Sequence, residues 1–345
     1  MRNRRATSHD VARSAGVSQG TVSVVLNDVA KARVSEATRQ RVRAAAQRLD
    51  YHPNAAGRSL VRQRTGLLGL ILRQGPDRLS ANAFLPTVID GFTAVAGAAD
   101  FRLLIEPIDE LIRPDAYLAL AREAHVDGIV LAGARSDDDQ LRRLHTSDFP
   151  IVLWGQLSGS HLPFVDVHNA AAARTAVEHL IELGHRRIGC ITNGPLAYTA
   201  SAARLQGYQS ALESHGLSVD HHLIRIGDFS GRSGYVAMRS LLTSIDRPGA
   251  VFVGSDEVAL GALRAIRELG LRIPDDVAVV GFDDLPVSEL VSPSLSTMRV
   301  PARELGAAAA RMLIQRIESD IPPPPVLLET ELVVRESSGG HIRSY

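Results

Sequence analysis

The string Gly16-Val-Ser-Gln-Gly20 has the G-x-S-x-G spacing of a hydrolase nucleophile elbow, where a serine sits on a sharp turn between a strand and a helix. That chemistry needs a strand before the serine. Here Asp10–Ala15 precedes it with helical spacing, ahead of any strand pattern, so Ser18 as a nucleophile is the poorer reading. Ser18, Gln19, Gly20 and Thr21 suit another task. Small and polar side chains on the leading turn of a short helix can enter a DNA major groove, about 12 Å wide, and meet base edges there. Carboxylates cluster at Asp137-Asp-Asp139, which reads as the solvated start of a helix and not as a metal site. The 12 histidines are scattered, and no H-E-x-x-H, P-loop or G-x-G-x-x-G string occurs. Cys190 stands alone, so neither a disulfide nor a cysteine-based zinc site can form around it. No catalytic residue, metal or cofactor is expected.

The elements around Ser18 read as three short helices. Thr7 with Asp10 forms an N-cap with an acidic first turn, followed at helical spacing by Val11, Ala12 and Ala15. Gly16 breaks the chain, Ser18 caps a second helix, and Val22, Val25 and Leu26 give that helix its buried side. Ser35 caps a third, whose apolar side is Val42, Ala45, Ala46 and Leu49. This is the spacing of a helix-turn-helix. From Leu67 the pattern changes to short apolar strands alternating with amphipathic helices. Strands are expected at 67–72, 103–105, 128–131, 151–154, 188–192, 250–253 and 277–282, with helices at 87–99, 170–183 and 256–269. Such alternation predicts doubly wound parallel sheets with both faces covered. There are more strands than one compact sheet needs, so two α/β lobes with a cleft between them are expected.

Charge supports the division. The 345 residues carry no net charge, yet residues 1–64 hold 13 Lys/Arg against 4 Asp/Glu. A basic head on an acidic body suggests that the head meets a polyanion. With no apolar stretch after the basic N-terminus and no membrane-length run, a cytoplasmic protein without membrane contact is expected. A secreted solute-binding protein, whose body would look the same, is disfavoured by the same features.

The stretches Ser8–Asn27, Val34–Val42 and Tyr51-His-Pro-Asn54 closely resemble the head of the LacI/GalR family of bacterial transcriptional regulators. The body strings Asn82-Ala-Phe84, His179–Ile188, Arg204-Leu-Gln-Gly-Tyr208, Asp256–Ala262, Val280-Gly-Phe-Asp-Asp284 and Glu331–Glu336 extend the resemblance over nearly the whole chain. It implies an all-α helix-turn-helix head at 1–52, a hinge helix and linker at 53–65, and a periplasmic-binding-protein-like body at 66–340. The lobes are expected at about 66–163 plus 292–322, and about 164–291 plus 323–340. The family implies a homodimer or tetramer on a pseudo-palindromic double-stranded operator, here favoured as a dimer because the tail shows no leucine heptads. Its base-reading positions fall on Gln19, Gly20 and Val24, the last standing where the family commonly carries Arg. Its hinge helix starts near Pro53 and Asn54 and levers Leu60 into the minor groove; Gly57 stands where Ala is usual.

The resemblance also implies a regulator, and more specifically a repressor, controlled by a small effector between the lobes, with a sugar or sugar derivative favoured. It carries over Arg204 and Asp283 as hydrogen-bonding residues, Ser255 and Phe229 beside them, and Asn82 and Phe84 in the first strand-to-helix loop. Each has a plainer reading. Ser255 could only cap the next helix, Phe229 could be core, and Asp283 could pair with a helix terminus. Two departures bear on the ligand: Gly155 and His168 each stand where Asp is common.

Overall fold

The computed structural model describes residues 6–26, 34–52, 64–73, 83–108, 116–123, 125–138, 141, 148–319 and 321–340. Asn54, Gly57, Leu60, Asn82 and Asp139 lie outside them. The chain forms two compact units, Met1–Gly66 and Leu67–Tyr345.

The first unit holds α1 (Ser8–Ala15), α2 (Gln19–Leu26) and α3 (Glu36–Arg48). Thr7 and Asp10 make a reciprocal capping box, which satisfies two backbone donors that a helix start leaves free. Gly16 ends α1 in the left-handed conformation at φ 63°, with its N–H returned to the Ala12 carbonyl. Ser18 and Ser35 cap α2 and α3 through the N–H groups of Thr21 and Thr38. Val11, Ala15, Val22, Val25, Val42 and Ala45 close the small core. Leu49, expected on the buried side of α3, is 36% exposed; it follows the last helical turn, where the helix face no longer points inward.

The second unit contains two six-stranded sheets. The first has the order β11-β5-β4-β3-β1-β2 and is parallel throughout. Its strands are β1 (Leu67–Leu72), β2 (Arg102–Pro107), β3 (Gly128–Ala132), β4 (Ile151–Trp154), β5 (Phe164–Val167) and β11 (Val326–Leu328). The second has the order β12-β10-β9-β8-β6-β7, from β6 (Ile188–Ile191), β7 (Ile224–Arg225), β8 (Ala250–Val253), β9 (Ala278–Asp283), β10 (Ser296–Arg299) and β12 (Glu331–Val333). Only β12 runs antiparallel, at the edge. Residues alternate between cores on the two faces: Ile71, Ile129 and Ile151 pack on one side of the first sheet, Leu70, Val130 and Val152 on the other. That is why these strands read as unbroken apolar runs.

The helices of the second unit are α4 (Leu85–Ala98), α5 (Ala116–Arg122), α6 (Asn169–Glu182), α7 (Thr199–Ser214), α8 (Gly231–Leu242), α9 (Asp256–Glu268), α10 (Pro286–Leu290) and α11 (Ala302–Glu318). Sheet membership moves the expected lobe boundaries. Strand β5 pairs with β4, so 164–167 belong to the first lobe, and β10 pairs with β9, so 296–299 belong to the second. The last crossing falls between β11 and β12, not before 323. The signal was hidden because β10 is Ser-Thr-Met-Arg. Its polar side chains are buried through hydrogen bonds, Thr297 Oγ1 to Asp256 at 2.6 Å and Ser296 Oγ with Ser338 at 2.8 Å.

Candidate functional site

In each sheet the chain reverses its winding direction once, between β1 and β3 in the first and between β6 and β8 in the second. Open α/β sheets bind ligands at the carboxyl ends of strands beside such points. Leu72, Ala132, Asn193 and Ser255, at or just past the ends of those four strands, all line one cavity of about 180 Å³ between the lobes. Aromatic rings form much of its wall. Phe84 and Trp154 lie 6.0 Å apart from the first lobe, and Tyr198 meets Phe229 edge-on at 4.8 Å from the second.

Arg204, in the second turn of α7, is half-buried in the wall of the cavity. Its guanidinium lies over the Phe282 ring, 3.6 Å from the centroid, donates through Nε to Asn169 Oδ1 at 2.8 Å and through Nη1 to the Gly254 carbonyl. Asp283, the last residue of β9, approaches Nη1 at 3.8 Å. Burial pushes the Asp283 carboxyl up to about 8, against the opposing pull of Arg204. The Asp256 backbone in the first turn of α9 also pulls the carboxyl down, more weakly than burial raises it.

Asp256 fixes the turn that follows. Its buried carboxyl accepts from Thr297 Oγ1, Ser288 Oγ and the Leu285 N–H, and burial raises it to about 6. Ser255 both caps α9, accepting from the Val258 N–H at 3.4 Å, and lines the cavity. Phe229 and Phe84 line it too, Phe229 from a left-handed backbone at φ 66°. Asn82 lies outside the described residues.

Several wall residues had no place in the sequence reading: Asp166, Asn193, Tyr198 and Glu257. A charged residue inside the apolar run Phe164-Val-Asp-Val was a usable signal for Asp166. Asp166 is buried, hydrogen-bonded to Val167 N–H and Asn169 Nδ2, and its carboxyl is raised by burial. His168 is exposed before α6 and does not line the cavity, whereas Gly155 does, at φ 119°. Asp138 corrects the solvated reading of 137–139. It is buried, accepts from Tyr117 OH at 2.7 Å and pairs with Arg73, while Asp137 pairs with Arg135.

The lobes are tied across the cavity mouth. Tyr198 OH donates to the Arg73 carbonyl at 2.8 Å, Thr199 N–H to Ala134 at 3.0 Å and Ser136 N–H to Ala197 at 2.9 Å.

In the first unit, Gln19 and Gly20 are exposed on the leading turn of α2, with Thr21 and Val24 half-buried. Gln19 Nε2 donates to Ser8 Oγ at 2.7 Å. Ser18 Oγ is engaged by the Thr21 N–H and Thr21 Oγ1, and a helix, not a strand, precedes it, which removes the elbow geometry. Among the described residues no group of acidic, histidine or cysteine side chains is placed to hold a metal ion. No helix described is long and apolar enough to cross a membrane.

A helix-turn-helix unit and a two-lobed α/β unit with a polar, aromatic-walled cleft together define a helix-turn-helix transcriptional regulator. The profile of the lacI family of bacterial regulatory proteins matches residues 7–54, and that of the periplasmic binding protein-like domain matches 177–338. The HTH-type transcriptional regulator CelR of Thermobifida fusca is 38% identical over 340 residues, covering 97% of this chain and 99% of that one. The HTH-type transcriptional repressor PurR of Yersinia pestis (strain Pestoides F) is 36% identical over 347 residues, covering 99% of each. A solved CelR–cellobiose complex has 37% identity and a TM-score of 0.74 over 96% of this chain and 100% of that one. The lac repressor dimer bound to operator and the anti-inducer ONPF has 28% identity and a TM-score of 0.85 over 97% and 99%. This chain belongs to the lacI family of bacterial regulatory proteins.

Proposed function

We propose that this regulator is a cytoplasmic repressor, working as a homodimer on a pseudo-palindromic operator. Its affinity for DNA is set by a neutral sugar or sugar derivative bound between the lobes. It is not an enzyme. The observation that carries the ligand reading is the chemistry of the cavity. Asp283, Asp166 and Glu257 supply carboxyls, Arg204 is positioned by Asn169 and Gly254 beside Asp283, and aromatic rings cover the apolar faces. Such a wall accepts hydroxyl protons and packs against a sugar ring. Burial raises all three carboxyls, so the wall already disfavours negative charge, and a phosphorylated ligand would add more of it. The CelR–cellobiose complex supports the same class.

Arg204, Asp283, Ser255, Phe229 and Phe84 serve as effector contacts in this reading, with Asn82 beside Phe84. On the DNA side α2 is the recognition helix, with Gln19, Gly20 and Val24 toward the bases and Ser18 and Thr21 at its capped start. Bidentate pairing of Gln19 with adenine uses both ends of its amide, so the bond to Ser8 breaks on DNA.

A thermal-shift screen of neutral mono- and disaccharides, cellobiose among them, beside sugar phosphates and nucleobases tests the reading. A neutral sugar at a hundredfold excess over its Kd should add about 2.7 kcal/mol of stability. The same sugar should change operator affinity in the wild type and leave it unchanged in Arg204→Ala. Stabilisation by sugar phosphates or nucleobases alone overturns the proposed effector class.

A further inference from the structure

Asn193 follows β6 at the winding reversal of the second sheet, lines the cavity and is 6% exposed. Its Oδ1 is sealed from the surface and has no hydrogen-bond partner among the described residues. A buried amide oxygen without a partner destabilises the fold that holds it and calls for an explanation. Ser201 Oγ is likewise unpartnered but does not line the cavity, so lack of a partner alone marks no site.

What distinguishes Asn193 is how firmly it is held. Thr192 Oγ1 donates to the Gly194 carbonyl at 2.8 Å and accepts from the Gly227 N–H at 3.1 Å. The Phe229 N–H donates to the Asn193 carbonyl at 2.6 Å. A Cβ at Gly254 would lie 2.7 Å from Asn193 N and 3.2 Å from its Oδ1, so only glycine there lets the Asn193 backbone pass, with its side-chain oxygen close by. A Cβ at Gly194 would lie 2.3 Å from the Phe229 ring. The backbone that carries the amide and the aromatic wall are thus fixed as one unit, beside the Gly254 carbonyl that anchors Arg204.

We infer that Asn193 is a specificity-determining residue of the cleft, whose side-chain amide hydrogen-bonds a hydroxyl of the effector. The inference rests on the reading of the cleft as a sugar site. An amide fits that task because it carries a donor and an acceptor on one plane, and a hydroxyl is both as well. Its terminal torsion turns with little resistance, so either end can meet the ligand. Turning that torsion exchanges the sealed oxygen for the nitrogen at the cavity wall, so the residue presents whichever end a hydroxyl requires and rejects a ligand that lacks one.

The test titrates the full-length protein and Asn193→Leu with cellobiose, maltose, lactose and glucose by calorimetry, and melts both proteins without sugar. The sugar that binds wild type should bind Asn193→Leu about tenfold more weakly or worse, while the free variant melts at the same temperature or higher. Monodeoxy analogues of that sugar give the second readout. Removing the contacted hydroxyl should weaken binding to wild type about tenfold and to the variant hardly at all. Asn193→Ala repeats the series if the leucine variant does not fold. Equal affinities in wild type and variant, or no analogue whose loss depends on residue 193, overturn the role of Asn193 while leaving the sugar site standing. Binding of none of the four sugars to wild type overturns the sugar reading itself, and this inference with it.

Discussion

Asp283 sits where a carboxylate is least at ease, buried at the end of β9 with a backbone φ of 120° that side chains other than glycine seldom adopt. Burial drives its carboxyl up to about 8, so the native state holds the proton more tightly than the unfolded chain, where a carboxyl titrates near about 3.9. A raised native value stabilises fully below the unfolded value, and that stabilisation drains away as pH rises toward 8. Asp256, raised to about 6, adds a loss of the same sign over the lower part of that window. Asp283→Asn, which mimics the protonated form, should match wild type only below about pH 3.9 and gain on it as pH rises, melting at a clearly higher temperature near pH 8. Parallel melting curves across that range would show that the Asp283 carboxyl is not buried in its neutral form. At this scale the legible residues were those inside recognisable strings, Arg204 and Asp283 among them. Asn193 and Asp138 were not legible, since each looks like an ordinary polar residue until the folded chain buries it, and only its place inside an apolar run marked Asp166.

Helix pairs in the body approach so closely that backbone meets backbone. A Cβ at Gly306 of α11 would lie 2.0 Å from the Val88 carbonyl of α4, and one at Gly91 of α4 would lie 1.9 Å from the Arg303 carbonyl. Alanine at 306 gains up to about 1 kcal/mol of helix propensity, but separating the pair costs about 1–3 kcal/mol of packing. The carbonyl cannot swing aside like a side chain, so the clash wins and Gly306→Ala should lower the Tm by several degrees in a calorimetric scan. A variant as stable as wild type would mean that α4 and α11 do not touch there. Elements with strong periodicity, such as β1, β8 and α9, were legible at nearly their full extent. Strand β10 was missed because its buried side is hydroxyls, and that omission displaced the lobe boundaries.

A hinge helix at 54–60, as the family resemblance implies, would be too short to be stable in isolation, so its folding would be coupled to DNA, and Gly57 would weaken it by roughly 0.8–1 kcal/mol relative to alanine. Gly57→Ala should tighten operator binding and blunt the effector response. Leu60→Ala should weaken operator binding far more than binding to random duplex at the same salt concentration. Equal losses on both DNAs would reduce this segment to a tether.

For the whole molecule, the division of labour follows from where the cores and charges lie. The core of the first unit is closed by residues from Val11 to Tyr51, and the sheets and cavity are built from Leu67 onward. Each unit thus has the apolar interior it needs to fold, although the smaller has far less surface to bury. Charge divides at the same place, with 13 Lys/Arg against 4 Asp/Glu in residues 1–64 of a chain with no net charge. Phosphate contacts release counterions, so each one neutralised adds about −0.9 to the slope of log affinity against log salt. Deleting residues 1–66 should therefore abolish operator binding and its salt dependence together, while the remaining body keeps its affinity for sugar within about twofold. In the intact protein, replacing the exposed Arg41 of α3 by alanine should lower affinity on operator and random duplex alike. It should also flatten the slope by about 0.9 for each head bound, because a phosphate contact carries no sequence information. A truncated body that still bound operator would place the DNA surface in the acidic unit. An Arg41 variant with an unchanged slope would mean that α3 does not face the phosphates.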